Sequence, residues 1–106
     1  MKKNEIKENC ELIKAMKKTY DVFYWNNEEH QRMREGIMRE MINLSCNLFE
    51  ASSKWIYKFR NGYLAFEIIV CLDELSNARF YDKIGYENWE FIEKGIHYIE
   101  RSVFSK

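Results

Sequence analysis

The chain has 106 residues, enough for one domain and too few for two. Its 17 basic and 17 acidic residues cancel, so no overall field draws nucleic acid or an anionic membrane to the protein. Hydrophobic residues make up 46% of the chain and aromatic residues 16%, a composition that predicts a compact core of bulky side chains. We therefore predict a single domain over residues 1–106.

Cys10, Cys46 and Cys71 are far apart and lie in apolar helical patterns, and no CxxC pair or Cys/His cluster exists. This argues against a zinc or iron–sulfur site and predicts three buried thiols in a reducing cytoplasm. The first 11 residues are charged throughout and do not resemble a signal peptide. The longest low-charge run, over 63–72, is interrupted by Glu67 and is far shorter than the ~20 residues of a membrane span. We expect a cytoplasmic protein without membrane contact, metal or cofactor.

The absence of proline and the periodicity of the apolar residues predict four helices. The first covers about 4–24, with Ile6, Cys10 and Ile13 on its apolar face. Asn26 and Asn27 favour a break because short amides compete with the helical backbone. Asn27 can then cap a second helix that ends near Ala51. Mid-helix Gly36 is expected to mark a close approach of two helices.

Ser52 and Ser53 predict the start of a third helix that reaches about Lys83 and continues through Asn61-Gly62, with a left-handed Gly85 after it. The fourth helix is predicted over 87–104, where one apolar seam recurs at three- and four-residue spacing. The members of this seam are Gly85, Trp89, Ile92, Ile96, Ile99 and Val103. Four amphipathic helices joined by short turns predict an all-α, up-down-up-down four-helix bundle.

The third helix carries two apolar stripes, one more than a helix of a monomeric bundle needs. The first stripe comprises Trp55, Phe59, Tyr63, Phe66 and Val70, and the second comprises Leu64, Ile68, Cys71, Leu75 and Ala78. We predict that the first packs inside the bundle, and that Leu64, Ile68, Cys71 and Leu75 form an oligomer interface. The alternative is a bundle wide enough to surround this helix.

No catalytic signature accompanies the helices. Glu93 and His97 are four residues apart, whereas di-iron bundles use Glu-x-x-His pairs on two helices. Neither a nucleophile elbow nor a phosphate-binding glycine loop is present, and no arginine is followed by histidine at the spacing of small helical ribonucleases. We predict a protein that is not an enzyme and has no small-molecule substrate.

Lys54, Lys58 and Arg60 form a basic patch interleaved with aromatic rings and free of acids in the sequence. Cations contact phosphates and exposed rings stack on bases, so these residues are candidates for nucleic-acid binding. In the alternative interpretation the rings are core and the lysines are solvated beside them.

Two segments, MREMINLSCNLFEA (38–51) and CLDELSNARFYDKIGY (71–86), resemble a four-helix-bundle family. Its members are encoded in intervening sequences of 23S ribosomal RNA genes, and its close relatives include the Avd accessory proteins of diversity-generating retroelements. The matching positions are Arg39, Asn47, Glu50, Leu72, Glu74, Leu75, Gly85 and Tyr86. The proline often found in helix two is replaced around Cys46, Ala51 follows Glu50 where the family has glycine, and the basic surface of the Avd branch is reduced to neutrality.

This resemblance implies a ring-like homo-oligomer of five subunits that binds a reverse transcriptase and its template RNA as a non-enzymatic accessory scaffold. The residues by themselves imply less: a helical bundle with a surplus apolar face and one basic, aromatic patch. A protein-only interaction module remains the rival hypothesis, and a small phage or toxin-system regulator is a third.

Overall fold

A computed structural model describes residues 1–59 and 62–104, which form four α-helices. They are α1 (Lys3–Val22), α2 (Glu28–Phe59), α3 (Gly62–Phe80) and α4 (Asn88–Ile99), and α4 continues into a π-helical turn over Glu100–Phe104. No strand occurs among these described residues. The predicted all-helical class is confirmed. Helix α2 packs against the other three helices, and α3 also packs against α4.

The first helix and the turn after it follow the prediction closely. Ile6, Cys10 and Ile13 are buried on one face of α1. Asn27 caps α2, because its side-chain oxygen accepts a hydrogen bond of 3.0 Å from the His30 N–H. The His30 ring accepts a bond of 3.1 Å from the Tyr24 N–H, so this half-buried histidine fixes the turn instead of facing solvent.

The predicted break at Ser52 and Ser53 is wrong: α2 continues through both residues to Phe59. Both serines are buried in the core, and the Ser53 hydroxyl donates to the Glu50 carbonyl at 3.0 Å within the helix. That intrahelical bond satisfies the hydroxyl without breaking the helix. Helix α2 is described to Phe59 and α3 from Gly62, so the predicted continuity through Asn61 falls on residues 60–61, which lie outside the described residues.

Helix α3 ends earlier than Lys83, and its left-handed residue is Asp82, not Gly85. Asp82 has a φ of 55°. The Lys83 N–H donates to the Ala78 carbonyl at 2.8 Å and the Asp82 N–H to Arg79 at 3.3 Å, which is the hydrogen-bond pattern of a Schellman motif. Gly85 has a negative φ, and its N–H donates to the side chain of Asn88 at 2.7 Å.

The apolar seam of the fourth helix is confirmed for Ile92, Ile96, Ile99 and Val103, which are all buried. Trp89 is half-buried against the core, and Gly85 lies before α4. The predicted close approach at Gly36 is wrong, since a Cβ there would have open space. Helices come close instead at Gly95, where a Cβ would overlap the ring of Phe49 on α2. The packing of Phe49 against Gly95 brings α2 and α4 together across the core.

Candidate protein interface

The residues predicted as an oligomer interface belong to the core of the single chain. Ile68 and Leu75 are 0% exposed and Cys71 is 2% exposed, while Leu64 is half-buried and packs against the core. These side chains face α2 and α4, the helices against which α3 packs. The predicted interface is therefore wrong for Ile68, Cys71 and Leu75, because periodicity gives the angle between two faces but not which one meets the core.

The opposite stripe of α3 is the exposed one. Tyr63 is 69% exposed, Phe66 60%, and Ile69 and Val70 40% each. A single exposed apolar side chain is ordinary on a protein surface, but four within eight residues of one helix make a continuous patch. We call these four residues the outer face of α3.

Further exposed residues continue the outer face along α3 and form a seam in which intervals of three and four residues alternate. The positions in this seam are Tyr63, Phe66, Val70, Asp73, Asn77 and Phe80. A period of 3.5 residues keeps one seam of a helix against a neighbouring helix, as in coiled coils. Asp73 and Asn77 interrupt the apolar series, and polar residues at such positions fix the register of a helix pair.

Two of the three residues of the predicted nucleic-acid patch, Lys54 and Lys58, lie within the described part of the chain. Lys54 forms an exposed ion pair of 3.5 Å with Glu50, an acid one turn away, and exposed pairs of this kind contribute little. The Lys58 Nζ lies 5.2 Å from the ring centre of Phe59, and Tyr57 beside it is 76% exposed. Arg60 lies outside the described residues. The structure thus places Lys58 among exposed rings at the end of α2.

A groove of about 780 Å³ runs between α1 and α4 and was not foreseen from the sequence. Lysines of α1 line one wall, and the other wall carries Lys94 together with Glu90, Glu93 and Glu100. Lys14 bridges the walls at one end through a contact of 2.6 Å with Glu100. Sequence periodicity could not reveal this groove, because it depends on how far apart two non-consecutive helices lie.

Each of the three cysteines is buried, as predicted. Burial, reinforced by the negative charge of Glu100, raises the pKa of the Cys10 thiol to about 11, and burial also raises the pKa of Cys71. Such thiols are poor nucleophiles at neutral pH. Within 1–59 and 62–104, no group of three or more His, Cys, Asp or Glu side chains could hold a metal ion. No helix in the same ranges is both long and apolar enough to cross a membrane.

No protein-family model, curated protein or solved structure matches this chain. The fold and the surface together define a small helical protein whose most prominent feature is the outer face of α3.

Proposed function

We propose that this protein is a non-enzymatic scaffold that assembles with copies of itself through the outer face of α3. The observation that carries the proposal is the exposure of Tyr63, Phe66, Ile69 and Val70 along one helix. Exposed apolar patches of this kind mark protein–protein contacts, because covering them removes apolar area from water.

A second copy of the chain is the partner that the seam fits best. The 3.5-residue spacing of the seam is that of one helix packed along another, so two seams from two copies can interdigitate. The resemblance to the ribosomal intervening-sequence family, which implies a homo-oligomeric ring, points to the same partner.

The proposed assembly unit is an up-down-up-down bundle. Contacts along α2 and α3 support this topology: Arg39 pairs with Asp82 at 2.7 Å, whereas Asn43, one turn later, accepts from Arg79 at 3.3 Å. From Arg39 to Asn43 the chain runs towards the C-terminus of α2, while their partners run backwards from Asp82, just after α3, to Arg79. This is the order expected of antiparallel helices.

Sedimentation at micromolar concentration tests the assembly. We expect the wild type to have a mass several times the 13.0 kDa of one chain, and Phe66→Glu to be monomeric with an unchanged helical circular-dichroism spectrum. Met33→Glu is the matched control, since Met33 is an exposed apolar residue of α2 away from α3 and should leave the mass unchanged. A monomeric wild type would refute the proposal.

A more specific form of the proposal follows from the resemblance: the assembly holds a reverse transcriptase and its template RNA, as Avd proteins do. The cation of Lys58 between exposed Tyr57 and Phe59 supports a role in RNA contact, because cations bind phosphates and rings stack on bases. The ion pair of Lys54 with Glu50 supports the rival protein-only module.

RNA binding measured against salt separates these two forms. Replacing Lys54, Lys58 and Arg60 by Gln should flatten the slope of log affinity against log salt by ~0.7–0.9 for each lost phosphate contact. Lys3, Lys7 and Lys18, which are exposed on α1, are the matched control set for the same change of charge. If wild type binds no RNA at low salt, with or without a reverse transcriptase, the protein-only module takes its place.

A further inference from the structure

The ammonium group of Lys17 lies among aromatic rings between α1 and α4. Its Nζ is 4.8 Å from the ring centre of Trp89, 5.4 Å from that of Tyr86 and 6.0 Å from that of Tyr20. The Asp21 carboxylate accepts hydrogen bonds from it at 2.7 and 2.9 Å. Only 13% of the Lys17 side chain is exposed, although lysines are among the residues least often withdrawn from water.

This arrangement is the one that recognises ammonium ions. The faces of aromatic rings attract a cation within about 6 Å of their centres, and cages of such rings bind quaternary ammonium ligands. A carboxylate at the cage supplies the opposite charge. We propose that Tyr20, Tyr86 and Trp89 form a binding cage for a methylated ammonium ligand, and that Lys17 is its internal occupant.

The groove between α1 and α4 gives such a ligand access to the cage. Lys17 and Trp89 both line this groove, whereas Tyr20 and Tyr86 line a neighbouring pocket, so the groove reaches the cage on its Trp89 side. Its volume of about 780 Å³ lies within the range of small-molecule sites.

A methylated ammonium would replace Lys17 in the cage and take over its contact with Asp21. The Asp21 side chain is 53% exposed and one helical turn from Lys17, so its carboxylate can be reached from solvent. A primary ammonium is strongly hydrated through its N–H donors. Methylation removes those donors, so a methylated ammonium loses less hydration than Lys17 does on entering the cage.

The rings themselves are held in position from three elements. Tyr20 is buried on α1, and the Arg34 guanidinium of α2 lies 3.9 Å from its ring centre. Tyr86 stacks against Tyr20 with the ring centres 6.3 Å apart, and Trp89 lies in the first turn of α4. The cage is therefore largely formed without a ligand, which lowers the cost of binding.

Tetramethylammonium is the first probe, titrated into the full chain while the Trp89 indole resonance is followed by NMR. Lys17→Ala should bind it at least about tenfold more tightly than wild type, because the internal competitor is gone. Adding Trp89→Leu to Lys17→Ala should abolish this binding. Lys7→Ala is the matched control: it removes an exposed lysine of α1 that does not line the groove, and it should bind like wild type.

Two further probes distinguish the sources of a methylated ammonium. Trimethyllysine amide represents a modified protein and phosphocholine a lipid headgroup, and either should exceed tetramethylammonium in affinity for Lys17→Ala. Unmethylated lysine amide should bind at least about tenfold more weakly than its trimethylated form. Equal affinity of the two lysine amides would refute a cage for methylated ammonium.

Two other results would overturn the proposal. Equal tetramethylammonium affinity of wild type and Lys17→Ala, or binding retained in the Lys17→Ala, Trp89→Leu double variant, would leave Lys17 as a structural tie between α1 and α4. If Lys17→Ala does not fold, the test is made on the wild type. Saturating tetramethylammonium should then shift the NMR resonances of the Lys17 side chain toward those of a solvated lysine. Unchanged resonances would refute the proposal.

Discussion

Gly36 and Gly95 both lie inside helices, yet their surroundings differ. Gly36 is exposed on α2 with open space where a Cβ would lie. Gly95 is buried on α4 directly against the Phe49 ring. At the first position glycine only weakens the helix, and at the second it makes room for an aromatic side chain.

Alanine at these two positions should change stability in opposite directions. Gly36→Ala should raise the free energy of unfolding by about 0.5–1 kcal/mol, the difference in helix propensity. Gly95→Ala should lower it by about 1–3 kcal/mol, because the methyl group forces Phe49 to move in a packed core. Urea denaturation of both variants measures this, and a stabilised Gly95→Ala would contradict the close packing of α2 on α4.

Cys10 makes stability depend on pH in the alkaline range. Its folded-state pKa is about 11, whereas the thiol of the unfolded chain titrates near 9. A group whose pKa is raised on folding contributes its full stabilisation below pH 9 and loses it as the pH rises towards 11. We expect the wild type to lose about 1–3 kcal/mol more than Cys10→Ala between pH 8 and pH 11. Parallel curves of unfolding free energy for the two proteins would show that Cys10 is not desolvated.

The C-terminal end of α1 is held by a side chain of another helix. No basic residue lies in the last turn of α1, but Arg34 of α2 donates hydrogen bonds of 3.0 Å to the carbonyls of Tyr20 and Phe23. These carbonyls lie where a helix end leaves acceptors without intrahelical partners. The Arg34 guanidinium of α2 therefore caps the C-terminal end of α1.

Arg34→Met should lower the free energy of unfolding by about 2 kcal/mol, since hydrogen bonds to a charged group contribute ~1.5–3 kcal/mol. Arg32→Met is the matched control: Arg32 forms an exposed ion pair with Glu28, and its loss should lower the free energy of unfolding by less than about 0.5 kcal/mol. Thermal melts of both variants measure this difference, and an equal loss of stability in Arg34→Met and Arg32→Met would contradict the role of Arg34 as a cap.

The end of α3 shows a second local device. Asp82 occupies the left-handed position that glycine usually takes, and its carboxylate also pairs with Arg39 of α2. A strained backbone position and an inter-helix contact thus coincide in one residue. Gly85, which was expected there, instead precedes α4 and bonds to Asn88.

At the scale of the whole molecule, assembly should make stability depend on concentration. A contact that forms only in the folded state stabilises it by mass action. The melting temperature of the wild type should therefore rise as the protein is concentrated tenfold, and that of Phe66→Glu should not. A melting temperature of wild type that does not change with concentration would argue that the outer face of α3 remains uncovered.

Local sequence patterns determined much of this fold. The periodicity of apolar residues predicted four helices, the buried face of α1 and the seam of α4, because a helix repeats its faces every 3.6 residues. The N-cap of α2 was also predictable from Asn27, because the hydrogen bond from the His30 N–H to its side chain forms within four residues of chain.

Only the tertiary structure decided which faces meet. Two stripes on α3 were visible in the sequence, but packing against α2 and α4 selected Ile68, Cys71 and Leu75 for the core and left Phe66 outside. The serines that favoured a break were absorbed into α2 because their positions face the core. The groove and the cage around Lys17 likewise depend on residues far apart in the chain, whose distances no local pattern encodes.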